Sequence, residues 1–197
     1  MGGAHLVMPA NVLPPDESQA AFQRPTVRYA TPYLRGWWSM GVQGVDTEED
    51  WAAIRRGKEL RLKIVRALHD AGVPLLVGTD TPHAFVVPGF AVHNEIQLFV
   101  KAGLRPYEAI SAATANVGKF LSKPKTVGVV APGAQADLIL LKDNPLEDVK
   151  NLSRPAGVMY HGKWLPQEEL QRGLDDMVAK YKKKENKKDN AAAHTEH

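Results

Sequence analysis

The apolar positions of this chain change their period along its length, and each change marks an element. Between Thr47 and Ala71 the residues Leu60, Ile64 and Leu68 recur at helical spacing, with Arg55, Arg56, Lys63 and Arg66 largely on the other side. That pattern predicts a packing helix. Thr47 with Asp50 three residues on forms a capping-box-like start, and Ala71-Gly72 provides a glycine stop. The next run, Pro74-Leu75-Leu76-Val77, is continuous rather than alternating, which is how a strand buried on both faces reads, and it ends abruptly in Gly78-Thr79-Asp80. A loop over 81–89 leads to a helix over 92–102 closed by Gly103. A third helix starts with Pro106 at its first position and packs through Ala109, Ile110, Ala113 and Val117.

After Lys123-Pro124-Lys125 the period shortens. Runs at 127–130, 136–141, 157–160 and 163–165 read as short strands separated by turn residues, with Tyr160-His161-Gly162-Lys163 as a hairpin turn. Strands this short need a partner surface. A last helix begins at Pro166 and is expected over 166–181. From Lys182 the composition turns to lysine, asparagine and alanine and predicts a disordered tail over 182–197. The first forty-five residues show no sustained period, and Pro9, Pro14, Pro15, Pro25 and Pro32 are expected to interrupt every helix there. His5-Leu6-Val7-Met8 reads as a short strand. The rest of that stretch reads as a long irregular segment, a lid or an incomplete piece of something larger.

With 197 residues and 44% hydrophobic content, one core is expected. No run of residues spans a membrane and no signal peptide is visible, so a soluble, cytoplasmic protein is the default expectation. The absence of cysteine removes thiolate chemistry and leaves His, Asp and Glu as metal ligands. The net charge of +3 equals the excess of six lysines over Glu185, Asp189 and Glu196 in residues 180–197. The body is neutral by count, so no specific nucleic-acid binding is expected.

Asp80 is the first candidate for chemistry, because a carboxylate at the C-terminal tip of a parallel strand opens onto the active-site face of a (β/α)8 barrel. It can equally cap the turn that follows. His83 in the next loop, and His93 and Glu95 in the first turn of the next helix, lie close enough in sequence to touch a substrate. A passive loop histidine and a dipole-favoured glutamate remain open for them. His69, at a helix C-terminus, reads as a surface histidine, and His194 and His197 as solvated terminal side chains. Thr114 and Asn116 read as local hydrogen-bonding groups.

Four stretches in order resemble the C-terminal part of metal-dependent amidohydrolases, in the imidazolonepropionase-like and prolidase-like branch. They are Gly72-Val73-Pro74 leading into Gly78-Thr79-Asp80, then Gly89-Phe90-Ala91-Val92-His93-Asn94-Glu95-Ile96. The third is the helix from Ala102-Gly103-Leu104 through Thr114 and Asn116, and the last is Gly128 with Pro132-Gly133-Ala134-Gln135-Ala136-Asp137-Leu138 and Asp143-Asn144-Pro145-Leu146. The resemblance implies an α/β fold, a partial (β/α)8 TIM barrel over 1–125 followed by strands of a small β-domain over 126–165. It implies a hydrolase of carbon–nitrogen bonds acting on a small amide, cyclic amide or dipeptide-like substrate. Asp80 would be both metal ligand and proton carrier, with His93 and Glu95 near the substrate and a divalent metal, zinc, as cofactor. No His-x-His occurs in the chain. Catalytic zinc takes three protein ligands, so Asp80 cannot hold the metal alone. The chain then reads as a fragment that is inactive by itself, or as an inactive interaction module, paired with a complementary N-terminal half or with a second copy.

Overall fold

The computed structural model describes residues 13, 15–40 and 47–193 of the chain. The expected strand at His5-Leu6-Val7-Met8 and the terminal His194 and His197 lie outside the described residues. The described helices are α1 (Pro15–Phe22), α2 (Pro32–Ser39), α3 (Glu48–Asp70), α4 (Ala91–Lys101), α5 (Pro106–Ala113), α6 (Ala115–Phe120) and α7 (Gln167–Ala193). The strands are β1 (Leu138–Leu141), β2 (Pro155–Tyr160) and β3 (Lys163–Pro166), with 3-10 turns at Pro25–Tyr29 and Val149–Ser153.

The long helix α3 forms as its ends dictate. Thr47 Oγ1 accepts from the backbone N–H of Asp50, and the Asp50 carboxylate accepts from the backbone N–H of Thr47, so two orphan donors are satisfied at once. Its buried residue is Val65, flanked by Leu68, while Leu60 stays 57% exposed. The apolar stripe is thus shorter than its sequence suggests. Val65 joins Leu75, Ile96, Phe99, Leu104, Ala109 and Ala112 in the main core, which lies between α3, α4, α5 and the extended segment 74–77.

That segment is not a paired strand. Among the described residues the sheet has three strands in the order β1-β2-β3, all antiparallel, and none of them adjoins residues 74–77. The backbone polar groups there are satisfied from elsewhere: Val77 N–H donates to Ala112 O at 3.1 Å, and Asn116 Nδ2 donates to Leu75 O at 3.1 Å. A buried-strand pattern without sheet neighbours has to take its hydrogen bonds from helices and side chains. The run 127–130 also departs from its expected strand. It forms bends, and Val130 is 87% exposed.

The sequence at the N-terminus was expected to break helices and instead starts them. Pro15, Pro25 and Pro32 each open a helix or 3-10 turn, where a missing N–H costs nothing and a fixed φ is already helical. Thr31 caps α2 by accepting from Leu34 N–H. These short helices build a second core of Ala21, Val27, Ala30 and Trp38 against Phe85 and Val87, so they pack over the loop that follows Asp80.

At the other end the hairpin β2–β3 turns through His161 (φ 48°) and Gly162 (φ 76°), two positive φ values as a type I′ turn requires. Asp137 Oδ1 accepts from His161 N–H at 2.7 Å and ties this turn to the start of β1. The last helix does not stop at 181. It continues to Ala193, past the point where composition predicted a disordered tail. Its acidic start, Glu168 and Glu169, suits the helix dipole. Arg35 of α2 donates to Glu185 Oε1 at 2.8 Å, anchoring the distal half of α7 to the N-terminal layer.

Candidate functional site

Asp80 sits just past the extended segment with φ 50°, a left-handed conformation that Asp tolerates better than most residues. Its side chain is 41% exposed, and His83 Nε2 lies 3.2 Å from its Oδ2. His83 N–H also reaches the Asp80 carbonyl at 3.4 Å, so residues 80–83 form one tight turn with both functional groups on it. His83 is 56% exposed. Trp38 Nε1 donates to Pro82 O at 3.3 Å, which pins this turn to α2.

Glu95 faces the other way. It has no exposed surface, and its Oε1 accepts from the backbone N–H of Gly78 at 3.2 Å, two residues before Asp80. Its Oε2 has no hydrogen-bond partner among the described residues. Burial pushes its carboxyl up to about 7, opposed weakly by the Gly78 N–H. Glu95 therefore meets the backbone beneath Asp80 rather than an open substrate cleft. Asn116, expected to bond locally, belongs to the same support through Leu75 O, 41 residues away in sequence. Thr114 does bond locally, donating to Ile110 O at 2.8 Å where α5 breaks from α6. Nothing in the period of the third helix distinguishes Asn116 from a capping residue, and only its place in the Thr-x-Asn pattern of the resemblance marks it.

His93 is half-buried. Its Nδ1 is enclosed without a hydrogen-bond partner among the described residues, and burial lowers its basicity, which favours the neutral ring. It lines a cleft of about 790 Å³ between α4, the loop ending at Phe90 and the turn Val149–Ser153. Asp80 and His83 are not among the lining residues. The structure thus pairs Asp80 with His83, places Glu95 below them, and sets His93 on a separate cleft. His69, expected at the surface, is partly exposed with its Nε2 3.4 Å from Glu108 Oε2.

The donor set can be tested against the metal that the resemblance implies. Among the described residues no group of three His, Cys, Asp or Glu could hold a metal ion. Asp80 and His83 supply two donors, one fewer than a catalytic zinc site takes from its protein. These residues do not fit a catalytic metal by themselves.

Known proteins resemble the chain over part of its length. The amidohydrolase family model matches residues 52–165, more than half of the chain. Ochratoxinase of Aspergillus niger is 37% identical over 121 residues, which is 57% of this chain and 23% of the enzyme. Imidazolonepropionase of Ralstonia nicotianae is 34% identical over 113 residues, 53% of this chain and 26% of that protein. Among solved structures, bottromycin amidohydrolase superposes with a TM-score of 0.65 at 25% identity, covering 91% of this chain and 37% of that one. The crystal structure of A. niger ochratoxinase gives 0.51 at 31% identity over 71% of this chain. The chain spans about a quarter of the length of these curated relatives. No helix among the described residues is long and apolar enough to cross a membrane. A matched segment running from α3 through β3, with the Gly-Thr-Asp turn inside it, makes this chain a member of the amidohydrolase family.

Proposed function

We propose that the chain is the C-terminal portion of a carbon–nitrogen bond hydrolase and supplies its proton-transfer carboxylate, Asp80. The observation that carries this is the pairing of an exposed Asp80 carboxylate with His83 Nε2 at 3.2 Å on a turn held from below, within the family-matched segment. Asp80 accepts a proton from the attacking water as the water oxygen bonds to the amide carbon, and returns it to the nitrogen as the C–N bond breaks. An acid and an amine result. His83 orients the Asp80 carboxylate and faces a small amide, cyclic amide or dipeptide-like substrate, Glu95 supports the site through Gly78 rather than by direct contact, and His93, on its separate cleft, takes no part. A divalent metal, zinc in this reading, would be held by Asp80 together with ligands outside the described residues.

Metal content and turnover of a dipeptide panel, measured for the dialysed chain and for Asp80→Asn, test this reading. The expected result is substoichiometric metal and no turnover for the chain alone. Activity should appear on mixing with a chain that carries the His-x-His portion of an amidohydrolase barrel, and the Asp80→Asn mixture should lose at least about a hundredfold, within the usual range for a proton-transfer group. Stoichiometric metal with turnover in the chain alone, both lost in Asp80→Asn, would overturn the division of ligands between two segments. A second reading, an inactive module that pairs with a complementary chain, is favoured by the open edge of β1, where Ile139 is 56% and Leu140 57% exposed. Complex formation without turnover in the mixture would select it.

A further inference from the structure

The cleft beside His93 plays no part in the chemistry assigned to Asp80, and its construction suggests a ligand of its own. Its volume of about 790 Å³ falls in the range of small-molecule sites. Phe85 and Phe90 contribute aromatic surface, and Arg24, Lys101 and Lys150 contribute cations. The aromatics are fixed before any ligand arrives. Phe90 stacks on Tyr29 with ring centroids 4.8 Å apart and 8° between planes, while Phe85 meets Phe22 edge-on at 4.9 Å and Trp38 at 5.6 Å. The N-terminal layer thus holds two rings in set orientations, which reduces the ordering cost of binding. The cations have no carboxylate partner at salt-bridge distance among the described residues. The acidic residue on the cleft, Asp148, has Oδ1 engaged as the cap of the following 3-10 turn, accepting from Lys150 N–H at 2.9 Å.

We infer that this cleft binds an aryl carboxylate, with its ring against Phe85 and Phe90 and its carboxylate among Arg24, Lys101 and Lys150. The ring supplies burial and a specific edge or face contact, and the cationic rim supplies attraction that salt weakens. A free inorganic anion would use the rim and leave the aromatic surface uncovered.

A fluorine-NMR titration of para-fluorobenzoate against the full chain tests this directly. The expected result is saturable broadening that para-fluorobenzyl alcohol, which has the ring without the charge, does not reproduce. The double variant Lys101→Glu/Lys150→Glu changes two exposed side chains and should weaken binding by about tenfold or more, a difference of ~1.4 kcal/mol. Phe90→Leu, which keeps an apolar filler, should weaken it as well, and Asp80→Asn should leave it unchanged, separating this site from the proposed hydrolytic centre. Absence of saturation, equal binding of the alcohol, an unaffected lysine double variant, or displacement by inorganic phosphate at the same concentration as by benzoate would each overturn the inference.

Discussion

A glutamate with no exposed surface has to be neutral or compensated, and Glu95 is only half compensated, since one oxygen takes the Gly78 N–H and the other takes nothing. Its carboxyl stands at about 7 in the folded chain against 4.5 as its ordinary value. Below pH 4.5 it is protonated in both states and costs nothing. Between the two values the folded chain binds more protons than the unfolded one, so stability falls as pH rises, by about 3 kcal/mol in all. Urea unfolding at pH 5 and pH 8 should show this loss. In Glu95→Gln, which keeps the acceptor for Gly78 and cannot ionise, the difference between the two pH values should shrink by most of that amount. An unchanged pH dependence in the variant would mean that Glu95 is already ionised in the fold. Glu108 moves the opposite way. Hydrogen bonds from Arg105, side chain first and then backbone, pull its carboxyl down to about 2, so its contribution is present at neutral pH and fades as pH falls from about 4.5 towards 2.

At the scale of elements, the break between α5 and α6 packs closely against the backbone of Gly128. Gly128 lies at φ 72°, and a Cβ there would come within 2.1 Å of Thr114 O and 2.9 Å of Ala115 N. Gly128→Ala therefore combines a disfavoured φ with a clash against backbone that cannot yield, and should cost more than about 3 kcal/mol in urea unfolding. Gly36 is its natural control. It sits inside α2 with nothing within 4 Å of its would-be Cβ, so Gly36→Ala should stabilise by about 0.5–1 kcal/mol. Elements governed by local rules could be read from the sequence. The Thr47 capping box, the Gly103 stop, the proline start of α5 and the positive-φ turn at His161-Gly162 all rest on residues within a few positions of one another. Elements governed by distant partners could not. The extended run at 74–77 reads as a strand because it is continuously apolar, yet its status depends on neighbours that no local pattern reports. The prolines of the N-terminal layer follow the same logic, since a proline that ends one helix and one that opens the next look alike until Trp38 and Phe85 have somewhere to pack. Within the candidate site, the three-residue spacing of Asp80 and His83 is enough to put them on one turn. The inward direction of Glu95 and the long reach of Asn116 were not legible in the sequence, because both are set by how α4 and α6 dock on the extended segment.

The whole molecule carries an open sheet edge with exposed apolar side chains that its own described elements leave uncovered. β1 is an edge strand with the sequence Leu-Ile-Leu-Leu, lacking the lysine or proline that usually guards such an edge, and it pairs on one side with β2 alone. Val130 and Leu146, in the segments that lead into and out of that strand, are also exposed, at 87% and 51%. A neutral body with such an edge should associate, and sedimentation velocity of the 197-residue chain should show species larger than 21.6 kDa growing with concentration. Ile139→Lys places a charge on an already exposed position and should return the chain towards monomer without lowering its unfolding midpoint, because that side chain makes little of the core. Two other outcomes are informative. Association that survives Ile139→Lys but is reduced by salt would move its source to the lysines of α7, whereas a monomer at all concentrations would show that the edge is covered within the chain itself. If the lysine substitution also abolishes pairing with a His-x-His-bearing chain, the edge that drives self-association is the one that binds that chain.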